Sequence, residues 1–250
     1  MKRRAILIEA ANLKGQTPLP GAEVDLKNYQ RYLCSIEGGN WYQTEIVALT
    51  KPSKRTILEQ IRAAESEAEY LFLAFSGHGY TKKANPYAFP QPTINQLTML
   101  CINDTEEMSL AEINPSIKNF IIADSCRTIE LVQKSMTTEA LQASYRFADS
   151  EQSARALFDN AVTNAEAGQI IAYSCGINES AGEDKNRGGY FSAAMMEAGI
   201  DQATQGVQRA IPVSDVFAQA KLIVKRQAAQ QNPEYSPGRR IRHFPFAVKA

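Results

Sequence analysis

Tyr70-Leu71-Phe72-Leu73-Ala74-Phe75 runs straight into Ser76-Gly77-His78-Gly79, and this stretch sets the fold class. A short unbroken apolar run closed by glycine is the pattern of a strand buried on both faces, as in a parallel sheet. Upstream, Pro52-Ser53 opens a helix whose Ile57, Leu58, Ile61, Ala64 and Ala68 form an apolar stripe, with Ser53 as N-cap. Thr44–Leu49 precedes it as a strand, and a helix over Ala22–Ile36 carries Leu26, Tyr29, Leu33 and Ile36 on one face. Ala5–Glu9 is the first strand. Downstream, Phe120–Ala123 and Gln169–Tyr173 repeat the apolar strand pattern. Helices follow over Tyr190–Ala198 and, capped by Ser214, over Asp215–Gln230, with Phe244–Val248 as a last strand. Strands alternating with helices imply an α/β fold: a three-layer α/β/α sandwich around a mostly parallel sheet. Two long connections interrupt it: Tyr80–Asn95, with three prolines and two lysines, and the polar, partly helical Thr128–Gly168. Connections of that length are usually functional or disordered.

Composition fits this architecture. The 250 residues are 44% hydrophobic and 22% charged, enough for a full core and too apolar for a disordered chain. No internal repeat is present, and a single domain over residues 1–250 is expected. The 27 basic and 27 acidic side chains cancel, which argues against broad attraction to nucleic acid or membrane. The basic C-terminal stretch, with Lys221, Lys225, Arg226, Arg239, Arg240, Arg242 and Lys249, reads as a solvated surface. No apolar run reaches the roughly 18 residues of a membrane span. Met1-Lys2-Arg3-Arg4 begins like a signal peptide, but the apolar run behind it is short and meets Glu9, so no export signal is expected. Cys34, Cys101, Cys126 and Cys175 form neither a CxxC pair nor a zinc-ligand spacing, so no metal site is expected. They point to a reducing, cytoplasmic location.

In an open parallel sheet the reactive crevice lies beyond the carboxyl ends of the strands. Two strand ends carry chemistry there: Ser76-Gly77-His78-Gly79 and Asp124-Ser125-Cys126-Arg127. Glycines around His78 allow a sharp turn that exposes the imidazole. An imidazole beside Cys126 can generate the thiolate and later protonate a leaving amine. The backbone N–H groups of Gly79 and Cys126 are candidate oxyanion donors.

Phe75-Ser76-Gly77-His78-Gly79 and Asp124-Ser125-Cys126-Arg127 resemble the histidine and cysteine motifs of the caspase and metacaspase cysteine peptidases. His78 precedes Cys126 by 48 positions, and the caspase histidine lies about 50 residues upstream of its cysteine. The likeness runs from the first strand to the Tyr190–Ala198 helix. It implies a caspase-like fold, with Cys126 as nucleophile and His78 as general acid/base. It also implies a protein or peptide substrate, no required cofactor, and activation by cleavage or by a protein partner.

Caspases bind an aspartate side chain through basic residues, and those positions differ here. Leu19 stands near the first-loop arginine, Asp124 stands at the glutamine two before the cysteine, and Glu183 falls at the arginine after the fifth strand, counted from Tyr173-Ser174 to Tyr190-Phe191. Asp25, Asp124, Ser174 and Glu183 are therefore the expected substrate-binding residues. Carboxylates there would favour Lys or Arg, as in metacaspases, over Asp. The alternatives are that Asp124 caps a turn and that Glu183 is a solvated loop residue. Arg127-Thr128-Ile129 departs from the metacaspase His-Ser-Gly that follows the cysteine. Some metacaspases need calcium; Asp104, Glu106 and Glu107 cluster without a clear ligand spacing, which leaves calcium activation open. Lys134, Arg146 and Arg155 lie in the long connection and are candidate self-cleavage sites. Two other functions remain compatible with these residues. One is a catalytically silent scaffold of the same fold; the other is a transpeptidase or small-amide hydrolase using the same acyl-enzyme.

Overall fold

The computed structural model describes residues 1–83, 96–129 and 151–250. Along the chain the elements are β1 (Arg3–Ala10), α1 (Pro20–Cys34), β2 (Ile46–Thr50), α2 (Lys54–Glu67), β3 (Tyr70–Gly77), β4 (Gly79–Lys83), β5 (Gln96–Cys101), β6 (Glu107–Ser109) and β7 (Lys118–Asp124). There follow α3 (Glu151–Asn164), β8 (Gln169–Tyr173), β9 (Glu183–Asp184), β10 (Gly188–Gly189), α4 (Tyr190–Ala203), β11 (Arg209–Pro212), α5 (Val213–Gln227), β12 (Glu234–Ser236) and β13 (Pro245–Lys249).

The central sheet has the order β12-β8-β7-β3-β1-β2. Its strands are parallel except β12, which runs antiparallel to β8. Side chains alternate between two cores, as a period of two requires. Ala5, Leu7, Tyr70, Phe72, Ala74, Phe120, Ile122, Ile170 and Ala172 face one core, which α1, α3, α4, α5 and β13 cover. Ile6, Ile8, Leu71, Leu73, Phe75, Ile121 and Ala123 face the other, with Ile57, Ile61 and Ala64 of α2. The helical layers are thus unequal. Leu100 of β5 and Met108 of β6 complete the thinner face. The larger core is aromatic: Phe72 lies 5.7 Å from Phe120, and Phe246 of β13 lies 6.0 Å from Phe120 edge-on.

Ser53 caps α2 as its sequence predicts, its hydroxyl accepting from Thr56 N–H at 3.1 Å. Three expectations are corrected. Tyr80–Lys83 is not loop but β4, antiparallel to β5 in a three-stranded sheet β4-β5-β6. Residues 43–45 form a single 3-10 turn, tied by Tyr42 N–H to Glu45 Oε2 at 2.8 Å, so β2 starts only at Ile46. Ser214 is not the cap of α5. Pro212, with φ −68°, ends β11 and fills that place, and Ser214 lies inside the first turn. No helix among the described residues is long and apolar enough to cross a membrane.

Register aligns the strand ends that precede His78 and Cys126. Glu9 of β1 lies opposite Ser76 of β3, which lies opposite Asp124 of β7. His78 and Cys126 each stand two residues beyond that row, so they leave neighbouring strands at the same level. The sheet order reverses at β1, where β2 pairs on one side and β3 on the other; a crevice is expected at that edge.

Candidate active site

His78 sits between β3 and β4 and is nearly buried. Neither flanking glycine has a positive φ, so they do not serve the turn that the sequence suggests. Gly79 is needed for close approach. A Cβ there would lie 2.6 Å from Ser125 Oγ and 2.8 Å from the Met99 carbonyl. The bare backbone lets the Ser125-Cys126 segment pack directly against the segment that follows His78. The Nε2 of His78 lies 2.8 Å from the Thr17 carbonyl, in the β1–α1 connection. A carbonyl can only accept, so Nε2 carries the proton and Nδ1 is the basic nitrogen of the neutral ring.

Cys126 is 5% exposed. Its Sγ accepts from Ala181 N–H at 3.4 Å and lies 3.8 Å from the Ala181 carbonyl, so the segment before β9 covers the thiol. That segment is stitched down from the far side. Gln231 receives Gly182 N–H at 2.9 Å and donates to the Ser174 carbonyl at 2.8 Å. Glu179 accepts from Gly176 N–H at 2.9 Å and from Asn232 at 2.7 and 2.8 Å. Burial pushes the Glu179 carboxyl up, but these donors outweigh it and hold the group below its usual range.

Asp25 and Asp124 are fully buried, and the fold brings them together. Asp25 accepts from Ser76 Oγ at 2.5 Å and from Gly189 N–H at 3.0 and 3.1 Å. Asp124 Oδ2 accepts from Ser192 Oγ at 2.7 Å and Ser192 N–H at 3.1 Å. A Cβ on Gly189 would lie 2.2 Å from Asp124 Oδ2 and 3.1 Å from Asp25 Oδ2, so both carboxylates crowd one point. Gly188, at φ 101°, supplies the left-handed turn into that point. Asp124 Oδ1 is buried with no hydrogen-bond partner, and Asp124 makes no ion pair among the described residues. Glu183 pairs with Gly189 in the β9–β10 hairpin and is buried, so it is not a solvated loop residue. Its Oε2 would lie 2.8 Å from a Cβ on Gly21, against the first turn of α1. Leu19, the N-cap of α1, is buried and brings no cation here.

Ser174 has another task. Its hydroxyl accepts from Ser125 N–H and donates to the Ser125 carbonyl, both at 3.1 Å, fixing the peptide before Cys126. Arg127, named from sequence only as part of a motif, is a buried hub. Its guanidinium reaches Thr98 Oγ1 at 3.2 Å, the Cys175 carbonyl at 3.1 Å and Glu234 at 2.5 Å, and lies 4.1 Å over the Tyr173 ring. Thr17 and Ala181 act through backbone atoms, which no side-chain motif signals.

Arg155 does not lie in a loop. It lies in α3, with its guanidinium on Glu45 at 2.5 and 2.9 Å and over the Tyr42 ring at 3.9 Å. A helical, anchored bond must unwind before any protease can hold it extended. Lys134 and Arg146 lie outside the described residues. Asp104, Glu106 and Glu107 are engaged separately, with Lys14 N–H, Asn103 and Tyr80 respectively. No group of three or more His, Cys, Asp or Glu among the described residues could hold a metal ion.

A family model described as a caspase domain matches residues 2–244. The chain belongs to the caspase domain family. That family is one of cysteine peptidases, hydrolases acting on proteins or peptides. Among solved structures, the chain is similar to caspase-1 from Spodoptera frugiperda, at 15% identity and a TM-score of 0.59, covering 94% of this chain and 86% of that one. This likeness is one of fold: a caspase-type sandwich on a mixed, mostly parallel sheet. No curated protein sequence matches the chain.

Proposed function

We propose that this caspase-domain protein is a cysteine endopeptidase that cleaves after Arg or Lys. One observation carries the specificity. Asp124, two residues before Cys126, buries a carboxylate with one oxygen unpartnered and no ion pair among the described residues. A buried carboxylate without a counter-charge is costly, and a substrate guanidinium or ammonium supplies that charge. Asp25, at the same point, and Glu183 add to the attraction. Arg is favoured over Lys because its planar fork engages carboxylates bidentately.

In this reading Nδ1 of His78 takes the Cys126 proton while the Nε2–H bond to Thr17 holds the ring. The thiolate attacks the scissile carbonyl, and the N–H groups of Gly79 and Cys126 receive the oxyanion. The imidazolium then protonates the departing amine, and water, activated by the same ring, hydrolyses the thioester. Nothing in this sequence of steps calls for a metal. Cleavage at Lys134 or Arg146, or a protein partner, would move the Ala181 segment off the thiol. The four cysteines, all free, support a reducing compartment such as the cytoplasm.

The covering of Cys126 by Ala181 favours one other reading, a silent scaffold. An arginyl acyloxymethyl ketone separates the two. Labelling that disappears in Cys126→Ala and exceeds that of the aspartyl analogue supports the peptidase. Equal labelling by both reagents refutes the acidic pocket, and none by either, after limited proteolysis of the connection, supports the scaffold.

A further inference from the structure

Cys175 is a buried nucleophile that the peptidase steps leave unused. It stands two residues beyond the end of β8, and the parallel register with β7 brings it beside the reactive strand end. Ala123 pairs with Tyr173, Ser174 N–H bonds the Ala123 carbonyl at 3.0 Å, and Ser174 Oγ bonds both backbone groups of Ser125. The Cys175 Sγ lies 3.4 Å from the Ser125 carbonyl and 3.3 Å from the Glu179 carbonyl, either of which its one S–H can meet. Ser125 is bonded to Cys126, and Glu179 is two residues from Ala181, whose N–H meets the Cys126 Sγ at 3.4 Å. The same two peptide segments therefore bracket both sulfurs. Cys126, Cys175 and Ala181 form one small buried cluster. The β7–β8 register, carried two residues past Ala123 and Tyr173, sets Cys175 level with Ser125, one residue from Cys126, and the shared cluster brings the two side chains together.

We propose that peroxide converts Cys126 and Cys175 into a reversible disulfide that switches the nucleophile off. This rests on the reading above only in taking Cys126 as the reactive thiol. The Cys126 thiolate attacks a peroxide oxygen; the O–O bond breaks, leaving Cys126 as the sulfenic acid, and the first water departs with the proton held by His78. The Cys175 sulfur then attacks the sulfenic sulfur. The S–S bond forms, the S–O bond breaks, and the hydroxyl leaves as a second water with the Cys175 proton. Two thiols lose two electrons and one peroxide becomes two waters. Burial pushes the Cys175 thiol up to about 12, so it stays protonated and is not itself the first target of peroxide. Its value is proximity, since a resolving thiol held beside the sulfenic acid reacts at a high effective concentration. The bond would shield Cys126 from irreversible over-oxidation.

The test is hydrogen peroxide treatment of the full chain, then non-reducing peptide mapping by mass spectrometry. The account expects a linked peptide pair joining Cys126 and Cys175, lighter than the two free peptides by two hydrogens and absent after dithiothreitol. In Cys175→Ala the Cys126 peptide instead gains two or three oxygens that dithiothreitol does not remove. Cys175→Ser, which keeps the size of the side chain, gives the same result and controls for misfolding. Wild-type protein in which Cys126 becomes sulfinic acid while Cys175 remains alkylatable overturns the proposal. So does a Cys126 that links to Cys34 or Cys101, or a pair left unoxidised while Cys34 and Cys101 react. The readout is a mass and not a turnover, so the peptidase reading can fail without the disulfide failing.

Discussion

Replacing Asp124 by Asn removes one charge and almost no volume. In the wild type, Oδ2 holds the hydroxyl and N–H of Ser192 while Oδ1 is unpartnered. The amide oxygen of Asn can keep both Ser192 bonds, so the backbone around Gly189 need not move. With an arginine substrate bound, removing one member of a buried ion pair typically costs about 3–5 kcal/mol. At about 1.36 kcal/mol per tenfold, kcat/KM for an arginyl peptide falls by about a hundredfold to a few thousandfold. Without substrate the sign reverses. The wild type buries an uncompensated carboxylate, worth several kcal/mol of strain, whereas the variant leaves only an unpaired amide, at about 1–3 kcal/mol. A net gain of about 1 kcal/mol raises Tm by about 2–4 °C in a chain of this size. Calorimetry and steady-state hydrolysis of one arginyl peptide measure both arms. A variant that cleaves within about threefold of wild type refutes the pocket. A fall in Tm together with activity means instead that Asp124 is a structural cap.

Two further predictions follow from single contacts. Gly189→Ala puts a methyl 2.2 Å from Asp124 Oδ2, so the carboxylates must separate. Overpacking of this kind costs about 1–3 kcal/mol, and loss of arginyl-probe labelling with a lowered Tm is the expected pair of results. His243 Nδ1 and the Tyr235 hydroxyl share a hydrogen bond at 2.7 Å, and burial and Arg240 push the His243 pKa down. A histidine with a depressed folded pKa loses stability as pH falls from its unfolded value, about 6.5, through the folded one. Tm should therefore drop as pH falls through about 6.5, and His243→Gln should flatten that slope.

Much of the sheet was legible because its strands are buried on both faces. Gln169–Tyr173 has the bounds its apolar run predicts, and Tyr70–Phe75 falls short of β3 only by Ser76-Gly77. The same logic missed β4. Gly79-Tyr80-Thr81-Lys82-Lys83 pairs with β5 at the rim, where two exposed lysines hide the alternation. The β9–β10 hairpin is two residues per strand, too short for any period to register, yet it assembles the acidic point around Gly189. Cys126, His78 and the strand-end row through Ser76 and Asp124 could be located from the sequence because parallel strands end together. The Thr17 and Ala181 contacts could not, since any residue offers a backbone carbonyl and N–H. Arg127 looked like a departure from a motif, while packing makes it the cation that ties Cys175, Thr98 and Glu234 to the turn at Cys126.

The most direct test of the account is hydrolysis of matched fluorogenic peptides ending in Arg, Lys or Asp, by wild type and Cys126→Ala, with and without calcium and after limited proteolysis. The account predicts cleavage after Arg, then Lys, abolished in Cys126→Ala. Cleavage after Asp, or arginyl cleavage that survives in Cys126→Ala, would contradict it.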